Sequence, residues 1–481
     1  MLKLEKPISW LDGVDTLTGV IKQKDHPQRG ASVARKTIVV PGSVGSTVGA
    51  YTFFKLVRNG VAPEKIILTR PDSITIGAIL AGIEVELSGS RGAKLKLNVE
   101  GAPDRFVKYL EKEAEMTEAK GFTPVRSVHL SGISYATIGE AGLGFLREIH
   151  GSGVRFRTLT TTNPAGMDLR RWKDMGVPES FAEKQLEIVS LLTEMGAIPT
   201  LTCTPYLSGN LPLFREHVCW GESSAVAFIN SVLGARTNRE GSIKGIVAAA
   251  CGCVPLYGKH LEENRHPTLK VSLKCDLSTP LDFGLLGFFI GKEFPDAVPL
   301  ISGIKNVGLP ELKALGAGGA ASGGIELFHV KGVTPEAQLY EKCDTIPTLP
   351  VGEREILSLK DDLSTFDSSP DLIALGCPHF SAGELLRFMK MVQGKRALVR
   401  TWIFTSRALL TAFQRSGHLR TLKTSGVEVY ADTCMVVCPL ERMGFKKIAT
   451  NSPKAAKYLR SMRGVDVMLI SLREIANKFF T

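Results

Sequence analysis

Short apolar runs and helical stretches alternate from about residue 125 to the end of the chain. Strands are predicted at 198–203, 245–250, 324–330, 371–376, 397–405, 427–432, 446–450 and 465–470. Capping-box spacing marks helix starts at Thr137, Ser180 and Ser471, each followed three residues later by Glu. Such alternation is typical of parallel sheets with helices on both faces. Because one ordinary sheet holds fewer strands, we expect two or more lobes.

The first hundred residues predict a small β-rich domain. Strands are indicated at 37–41, 65–69 and 92–99. A Gly- and Ser-rich loop follows the first strand, and helical spacing then runs from Val48 to Val57. A loop of this kind at a helix start can present N–H groups and hydroxyls to an anion, although a plain tight turn has the same pattern.

We therefore predict an α/β protein in which a small β-rich domain is joined to a larger, multi-lobed α/β region. The small domain is placed at 1–100. A connector at 101–125 contains one helix that starts near Asp104, and the larger region covers 126–481.

Bulk composition is that of an ordinary globular protein, with 44% hydrophobic and 22% charged residues among 481. The start of the chain lacks the apolar core of a signal peptide. The apolar stretch at 283–291 is far shorter than the about 18 residues that a membrane span needs. Nine cysteines, an odd number, do not suggest a disulfide framework. These features predict a cytoplasmic protein without a membrane partner.

The formal net charge of +11 is spread along the chain, without an arginine-rich tail or a basic run interleaved with aromatics. This distribution does not favour nucleic-acid binding and suits an anionic small molecule equally well. We expect a small-molecule substrate, no nucleic-acid partner, and a monomer or homo-oligomer.

Three cysteines follow short apolar runs: Cys203 in TLTCTPYL, Cys377 in DLIALGCPH and Cys434 in VEVYADTCMVV. Loops after buried strands are where α/β enzymes place their chemistry, so three distant thiols could meet at one point. Free cysteine is also a common buried apolar side chain. The cysteines by themselves leave a metal site and simple packing both open.

Two polar segments are further candidates. In 217–241, Glu222 opens a helix and is followed by Ser223, and Arg236 and Asn238 lie at the far end of the element. Arginines beside a helix end can clamp a carboxylate or phosphate, but a solvated helix end has the same composition. Asn163 lies in the second segment, a polar loop at 160–172 that follows a strand.

Long motifs throughout the chain resemble the aconitase X family. They are PGSVGSTVGAYTFFKLVRNGVAPEKIIL, HLSGISYATIGEAGLGFL, TTTNPAGMDLRRW, WGESSAVAFINSVLGARTNREG, PLYGKHLEENR, ELKALGAGGAASGGIELFHV, GCPHFS and ADTCMVVCPL. The resemblance covers nearly the whole chain and implies a small swivel domain joined to an aconitase-like catalytic region.

The resemblance implies a hydro-lyase that uses an iron–sulfur cluster, whose nuclearity it does not specify. Members with both domains in one chain typically convert cis-3-hydroxy-L-proline to pyrroline-2-carboxylate. Two-subunit members, typically archaeal, dehydrate mevalonate 5-phosphate. The fused layout of this chain favours the hydroxyproline reaction, and the basic charge suits the phosphorylated alternative.

Site residues follow from the same resemblance. Cys203, Cys377 and Cys434 would hold the cluster. Ser46 would be the base or a carboxylate anchor, and Glu222 is the alternative base. The substrate-binding candidates are Thr47, Tyr135, Asn163, Ser223, Arg236, Asn238 and Lys305.

The chain departs from the family pattern in two places. Residues 99–125 are shorter and lack an acidic motif, and LRSMRG at 459–464 replaces the usual Ala-Pro-Gly continuation. Three alternatives therefore stay open: the mevalonate 5-phosphate reaction, a non-catalytic iron–sulfur protein, and a zinc protein that uses the same thiols.

Overall fold

The structure is a computed structural model that describes residues 1–44, 46–89, 92–340 and 345–481. Gly45 of the small-residue loop and Cys343 lie outside the described residues. The strands are β1 (Leu2–Lys3), β2 (Thr37–Val40), β3 (Lys65–Leu68), β4 (Glu84–Leu87), β5 (Phe122–Pro124), β6 (Ser127–Leu130), β7 (Leu159–Thr162), β8 (Cys219–Trp220), β9 (Cys253–Pro255), β10 (Leu269–Leu273), β11 (Pro299–Ser302), β12 (His329–Val330), β13 (Thr348–Val351), β14 (Leu372–Phe380), β15 (Thr401–Thr405), β16 (Val427–Ala431), β17 (Lys447–Thr450) and β18 (Asp466–Leu469).

The α-helices alternate with these strands. They are α1 (Tyr51–Arg58), α2 (Ser73–Ile76), α3 (Asp104–Met116), α4 (Tyr135–Gly151), α5 (Trp172–Met175), α6 (Glu179–Glu194), α7 (Ser223–Phe228), α8 (Ser242–Cys251), α9 (Pro280–Glu293), α10 (Leu309–Gly323), α11 (Glu353–Leu363), α12 (Ala382–Val392), α13 (Arg407–Arg415), α14 (His418–Thr424), α15 (Pro453–Arg463) and α16 (Leu472–Lys478). No helix in the described part of the chain is both long and apolar enough to span a bilayer.

The N-terminal sheet has the order β1-β2-β3-β4, and all its neighbours are parallel. The strand predicted at 92–99 is wrong, because the described residues of this segment pair with no other strand. The backbone N–H of Leu97 donates instead to the Glu111 carboxylate of α3, at 3.0 Å.

Three further parallel sheets carry the larger region. Their strand orders are β7-β6-β8, β12-β11-β10-β13 and β16-β15-β14-β17-β18, and an antiparallel pair joins β5 to β9. The predicted α/β architecture is therefore confirmed. The strand predicted at 245–250 is wrong, since these residues form part of α8, which ends at Gly252 in the left-handed conformation (φ 76°). Its alanines are strong helix formers, so local propensity explains the error.

Helix starts were predicted with mixed success. Ser471 and Glu474 form the expected capping box of α16. The start predicted at Thr137 is wrong, because Ser134 caps α4 three residues earlier. The start predicted at Ser180 is wrong as well, since α6 begins at Glu179 after Pro178.

The small domain packs closely onto the following region. A single hydrophobic core includes Trp10 and Phe53 of the small domain together with Leu146 and Val247 of the larger region. The hydroxyl of Thr47, at the start of a short 3₁₀ turn (Thr47–Ala50), donates to the Gly221 carbonyl at 2.7 Å. This contact fixes the loop after β2 against the end of β8.

Helices α9 and α10 approach each other through glycines. A Cβ at Gly287 would overlap the carbonyl oxygen of Leu315, and a Cβ at Gly323 would overlap the carbonyl of Gly291. The distance between the two helices is therefore set by backbone contact rather than by side chains.

Replacing Gly287 with Ala should lower the free energy of unfolding by about 1–3 kcal/mol, since overpacking forces backbone shifts. Gly144 of α4 is the matched control, because an added Cβ there meets no atom within 4 Å. Gly144→Ala should leave stability unchanged or raise it by about 0.5–1 kcal/mol. Thermal unfolding midpoints check both variants, and equal midpoints would contradict the close-packing argument.

Candidate active site

One cavity, of about 60 Å³, is lined by eight of the twelve predicted site residues. These are Ser46, Thr47, Asn163, Cys203, Glu222, Ser223, Cys377 and Cys434. They come from the small domain and from two of the sheets of the larger region, so the cavity lies where separate parts of the chain meet.

The cavity lies at the carboxyl ends of parallel strands. Asn163 directly follows β7, and Glu222 comes two residues after β8. Cys377 is in the second half of β14, and Cys434 follows β16. Within each sheet the parallel strands direct their carboxyl ends to the same edge, and the two edges, one from β7-β6-β8 and one from β16-β15-β14-β17-β18, both contribute to the cavity. Cys203 is an exception to the prediction, since 198–203 forms no strand and contributes only an isolated bridge at Ile198.

All three candidate thiols are free and face the cavity. Burial raises the pKa of Cys203 well above its usual value, and the Glu222 carboxylate and the Cys434 thiol raise it further. Burial likewise raises the pKa of Cys377, and it raises that of Cys434 to about 12, with the Cys377 thiol adding to the latter shift. Buried thiols with these pKa values stay protonated unless a cation binds them.

Soft thiol donors around one cavity are chemically suited to an iron–sulfur cluster. The described residues nevertheless contain no group of three or more Cys, His, Asp or Glu side chains placed as metal ligands. The three thiols therefore have the chemistry that such a cluster needs and line the same cavity. Among the described residues, they are not already placed at metal-ligand distances from a common point.

Glu222 forms a buried ion pair with Lys454 of α15. Burial raises the pKa of Glu222, but the Lys454 ammonium and hydrogen bonds from Ser224 and Asn163 outweigh it and lower the pKa to about 2. Burial lowers the pKa of Lys454, and the Glu222 carboxylate more than offsets this, so the net shift is upward. The pair is therefore fully charged at neutral pH.

Both carboxylate oxygens of Glu222 already accept hydrogen bonds. Oε1 accepts from Lys454 Nζ and from Ser224, whose Oγ lies 2.7 Å away, while Oε2 accepts from Asn163 Nδ2 at 2.8 Å. A carboxylate with so low a pKa and with both oxygens occupied is a weak base. The geometry suits Glu222 better for holding Lys454 and Asn163 in place.

The loop after β2 reaches the cavity with two hydroxyls, those of Ser46 and Thr47, that differ in their partners. Ser46 caps the 3₁₀ turn, and its Oγ accepts from Val48 N at 3.4 Å. Thr47 is committed to protein contacts, since its hydroxyl bonds the Gly221 carbonyl and lies 3.1 Å from Ser131 Oγ. Ser46 is thus the better placed of the two to meet a substrate.

Four predicted residues do not line this cavity. Tyr135 donates its hydroxyl to Glu140, at 2.7 Å. Arg236 bonds the His260 carbonyl and pairs with Glu262.

The other two are Asn238 and Lys305. Asn238 lines a separate cleft and accepts from Lys259 N at 2.7 Å. Lys305 is exposed and pairs with Asp276 at 2.8 Å.

Four family sequence models match consecutive parts of the chain. They are the aconitase X swivel domain at 1–91 and the aconitase X first, second and third domains at 85–263, 267–361 and 370–481. The phosphomevalonate dehydratase large subunit of Methanothermobacter thermautotrophicus is 43% identical over 350 residues, 73% of this chain and 88% of that protein. The chain belongs to the aconitase X family.

Two further comparisons agree with this assignment. The cis-3-hydroxy-L-proline dehydratase of Pseudomonas aeruginosa is 30% identical over 536 aligned positions, 97% of this chain and 91% of that protein. The crystal structure of the holo-form of Thermococcus kodakaraensis aconitase X matches with a TM-score of 0.74 at 35% identity, covering 78% of this chain and 95% of that one. The predicted family and reaction class, a carbon–oxygen hydro-lyase, are confirmed. The predicted domain limits and residue roles stay predictions.

Sequence reasoning missed the residues that α15 brings to this aconitase X cavity. Lys454, Tyr458 and Met462 line the cavity from one face of the helix. The signal was present in TNSPKAAKY, where Ser452 caps a helix directly after β17. A lysine in the first turn of a helix is ordinarily solvated, and only the fold reveals its partner Glu222.

A wider cleft of about 730 Å³ adjoins the cavity and shares Thr137, Tyr458 and Met462 with it. Six cationic side chains line the cleft, against the two carboxylates of Asp12 and Asp25. The cations are Lys22, Lys24, Lys55, Lys457, Arg460 and Arg463.

Replacing Glu222 with Gln should remove stability in a pH-dependent way. The folded-state pKa lies below the ordinary value of 4.5, so the carboxylate's contribution is complete above that value and is lost as the pH falls towards 2. Leaving Lys454 buried without its partner should cost about 3–5 kcal/mol near neutral pH.

The measurement is the difference in thermal midpoint between wild type and Glu222→Gln at pH values from 3 to 7. The difference should shrink as the pH falls below 4.5. Glu263→Gln is the control, since the ion pair of Glu263 with Lys120 is exposed to solvent. A difference that stays constant across the range would contradict the assigned ionisation of Glu222.

Proposed function

We propose that this protein dehydrates a phosphorylated β-hydroxy acid, with mevalonate 5-phosphate as the substrate. The observation that carries the proposal is the basic cleft that adjoins the thiol-lined cavity and shares three lining residues with it. A substrate with a carboxylate at one end and a phosphate at the other could place its carboxylate in the cavity and its phosphate in the cleft. Greater identity to the phosphomevalonate dehydratase large subunit than to the hydroxyproline enzyme supports the same choice.

Arg463 is the proposed phosphate anchor. Its side chain is 5% exposed, its Nε donates to the Val436 carbonyl at 3.0 Å, and its Nη1 pairs with the Glu441 carboxylate at 3.6 Å. Within the described residues, its buried Nη2 has no hydrogen-bond acceptor. A buried donor without a partner is costly, and a phosphate oxygen in the cleft would satisfy it with a charge-assisted bond.

Lys55 of α1 and Lys457 of α15 also line the cleft. Their ammonium groups donate to backbone carbonyls, Lys55 to Thr137 and Lys457 to Ala321. Burial lowers the pKa of Lys55 to about 8 and also lowers that of Lys457. An anion bound between them would favour the charged form of both amines.

The cavity is the proposed site of the elimination. An iron–sulfur cluster held by Cys203, Cys377 and Cys434 would supply a Lewis acid for the leaving hydroxyl. The reaction breaks the C–H bond alpha to the carboxylate and the C–O bond at the β-carbon, and one water is lost as the double bond forms.

Lys454 and Ser46 have the proposed roles nearest the substrate. The Lys454 ammonium has three N–H donors. Two of them donate to Glu222 and Ser224, so the third is available to the substrate carboxylate. The Ser46 hydroxyl is the proposed base, since the low pKa of Glu222 makes that carboxylate a poor one. A nearby ammonium would help to stabilise the deprotonated serine.

Cis-3-hydroxy-L-proline is the second candidate substrate. It is supported by the presence of both domains in one chain and by the alignment of the Pseudomonas dehydratase over 97% of the sequence. This imino acid has no phosphate, so it would leave the basic cleft unused. A cytoplasmic location and the oligomeric state stay predictions for either substrate.

The proposal is tested on protein purified and reconstituted with iron and sulfide in the absence of oxygen. Mevalonate 5-phosphate should be dehydrated, whereas mevalonate, which lacks the phosphate, should show kcat/KM at least a hundredfold lower. The anhydro product is followed by mass spectrometry. Formation of pyrroline-2-carboxylate from cis-3-hydroxy-L-proline, without turnover of the phosphate ester, would overturn the proposal in favour of the second candidate.

Replacing Arg463 with Gln, or Lys457 with Gln, should raise KM for the phosphate ester about ten- to a hundredfold and change kcat little. A hydrogen bond to a charged group contributes about 1.5–3 kcal/mol, and about 1.4 kcal/mol is tenfold in affinity. Lys305→Gln is the control, because Lys305 is exposed and lines neither space. An unchanged KM in both cleft variants would contradict the assignment of the cleft as the phosphate-binding site.

Serine substitutions test the thiols. Each of Cys203→Ser, Cys377→Ser and Cys434→Ser should lose most of the bound iron and the visible absorption band. Cys251→Ser is the control, since Cys251 is buried but does not line the cavity. Full iron content in all three variants would disprove the ligand assignment, and zinc without iron in the wild type would identify the protein as a zinc protein.

A further inference from the structure

His379 connects the segments that carry the three cavity cysteines. It follows Cys377 by two residues and is fully buried. Its backbone N–H donates to Cys203 Sγ at 3.2 Å, a contact between positions 176 residues apart in the chain. His379 therefore belongs to the segment of Cys377 and also bonds the thiol of Cys203 directly.

The imidazole ring extends the same connection in two directions. Nε2 lies 2.8 Å from the carbonyl oxygen of Thr433, and Nδ1 lies 2.9 Å from the hydroxyl of Thr202. A carbonyl can only accept, so Nε2 carries the proton and Nδ1 accepts from the threonine hydroxyl. Thr202 directly precedes Cys203, and Thr433 directly precedes Cys434.

A separate buried contact holds His379 on its other side. The ammonium of Lys313 donates to the His379 carbonyl at 2.7 Å and to Glu384 at 2.6 Å. The side chain of Lys313 is 2% exposed. The histidine is thus fixed to helices α10 and α12 while its ring and N–H reach the neighbouring loops.

We infer that His379 is the positioning residue that sets the three thiols around their common cavity. The inference rests on the proposed role of the cysteines. Groups that orient the ligands of a metal change its affinity about 10- to 100-fold. Hydrogen bonds to cluster sulfurs also set the reduction potential. His379 has both kinds of contact. Its ring bonds the residues that precede Cys203 and Cys434, and its backbone N–H donates to the sulfur of Cys203.

The test uses Co²⁺ as a probe on metal-free protein, because thiolate coordination gives Co²⁺ an intense charge-transfer band. His379→Leu removes both ring contacts and should weaken Co²⁺ binding about 10- to 100-fold, with a weaker band per bound ion. His379→Gln can keep the donor to Thr433, and His379→Asn can keep the acceptor for Thr202. Each conservative variant should therefore recover part of the affinity that His379→Leu loses.

The matched control is His329→Gln. His329 is also fully buried and donates through Nε2 to a carbonyl, that of Arg265, at 2.9 Å, and it lies outside the lining of the cavity that holds the three cysteines. This variant should keep wild-type Co²⁺ affinity. Thermal midpoints of all variants separate loss of folding from loss of positioning.

Two results would overturn the inference, and they differ in what else they affect. Co²⁺ affinity and band intensity of folded His379→Leu within twofold of wild type would overturn the positioning role alone, provided that Cys377→Ser loses the band. Retention of the band in Cys203→Ser, Cys377→Ser and Cys434→Ser would overturn the ligand assignment and this inference with it. Neither result depends on which substrate the enzyme turns over.

Discussion

The ion pair between Glu222 and Lys454 is the interaction on which the candidate site depends. It joins the end of β8 to the start of α15, 232 residues later in the chain, and both side chains are almost completely removed from water. Two buried charges are tolerated only when they satisfy each other and their remaining hydrogen-bond sites, and here Ser224 and Asn163 complete the arrangement. The pair consequently fixes one wall of the cavity against another and keeps a positive charge beside the thiols.

The parallel sheets explain why residues from distant segments meet at all. The carboxyl ends of β7, β8, β14 and β16 supply Asn163, Glu222, Cys377 and Cys434, and the loop after β2 supplies Ser46. No single lobe holds the complete set. The hydroxyl of Thr47, bonded to the Gly221 carbonyl, therefore has a functional consequence, since it holds the small domain where Ser46 faces the cavity.

Much of this arrangement could be predicted because strand composition and long motifs are local properties of the sequence. The parallel α/β architecture and the eight residues that share the cavity belong to this class. Errors arose where local helix propensity was underestimated and where tertiary context decides. The run at 245–250 is apolar enough for a strand, but its alanines form helix α8. Arg236 could bind a substrate anion by its chemistry, but in the structure it forms an ion pair with Glu262. Lys454 was missed because its carboxylate partner, Glu222, is remote in sequence.

Helix α15 links the two spaces that the proposed substrate would occupy. Lys454 faces Glu222 and the thiols, whereas Lys457 and Arg463 line the basic cleft. An α-helix rises about 1.5 Å per residue, so along its axis Lys454 lies about 4.5 Å from Lys457 and about 13.5 Å from Arg463. One rigid helix therefore contributes cationic side chains to both spaces. The segment at 459–464, for which a departure from the family pattern is expected from the sequence, supplies Arg460 and Arg463 to the cleft. Under the proposed function, this segment would provide charges that distinguish a phosphate ester from an unphosphorylated acid.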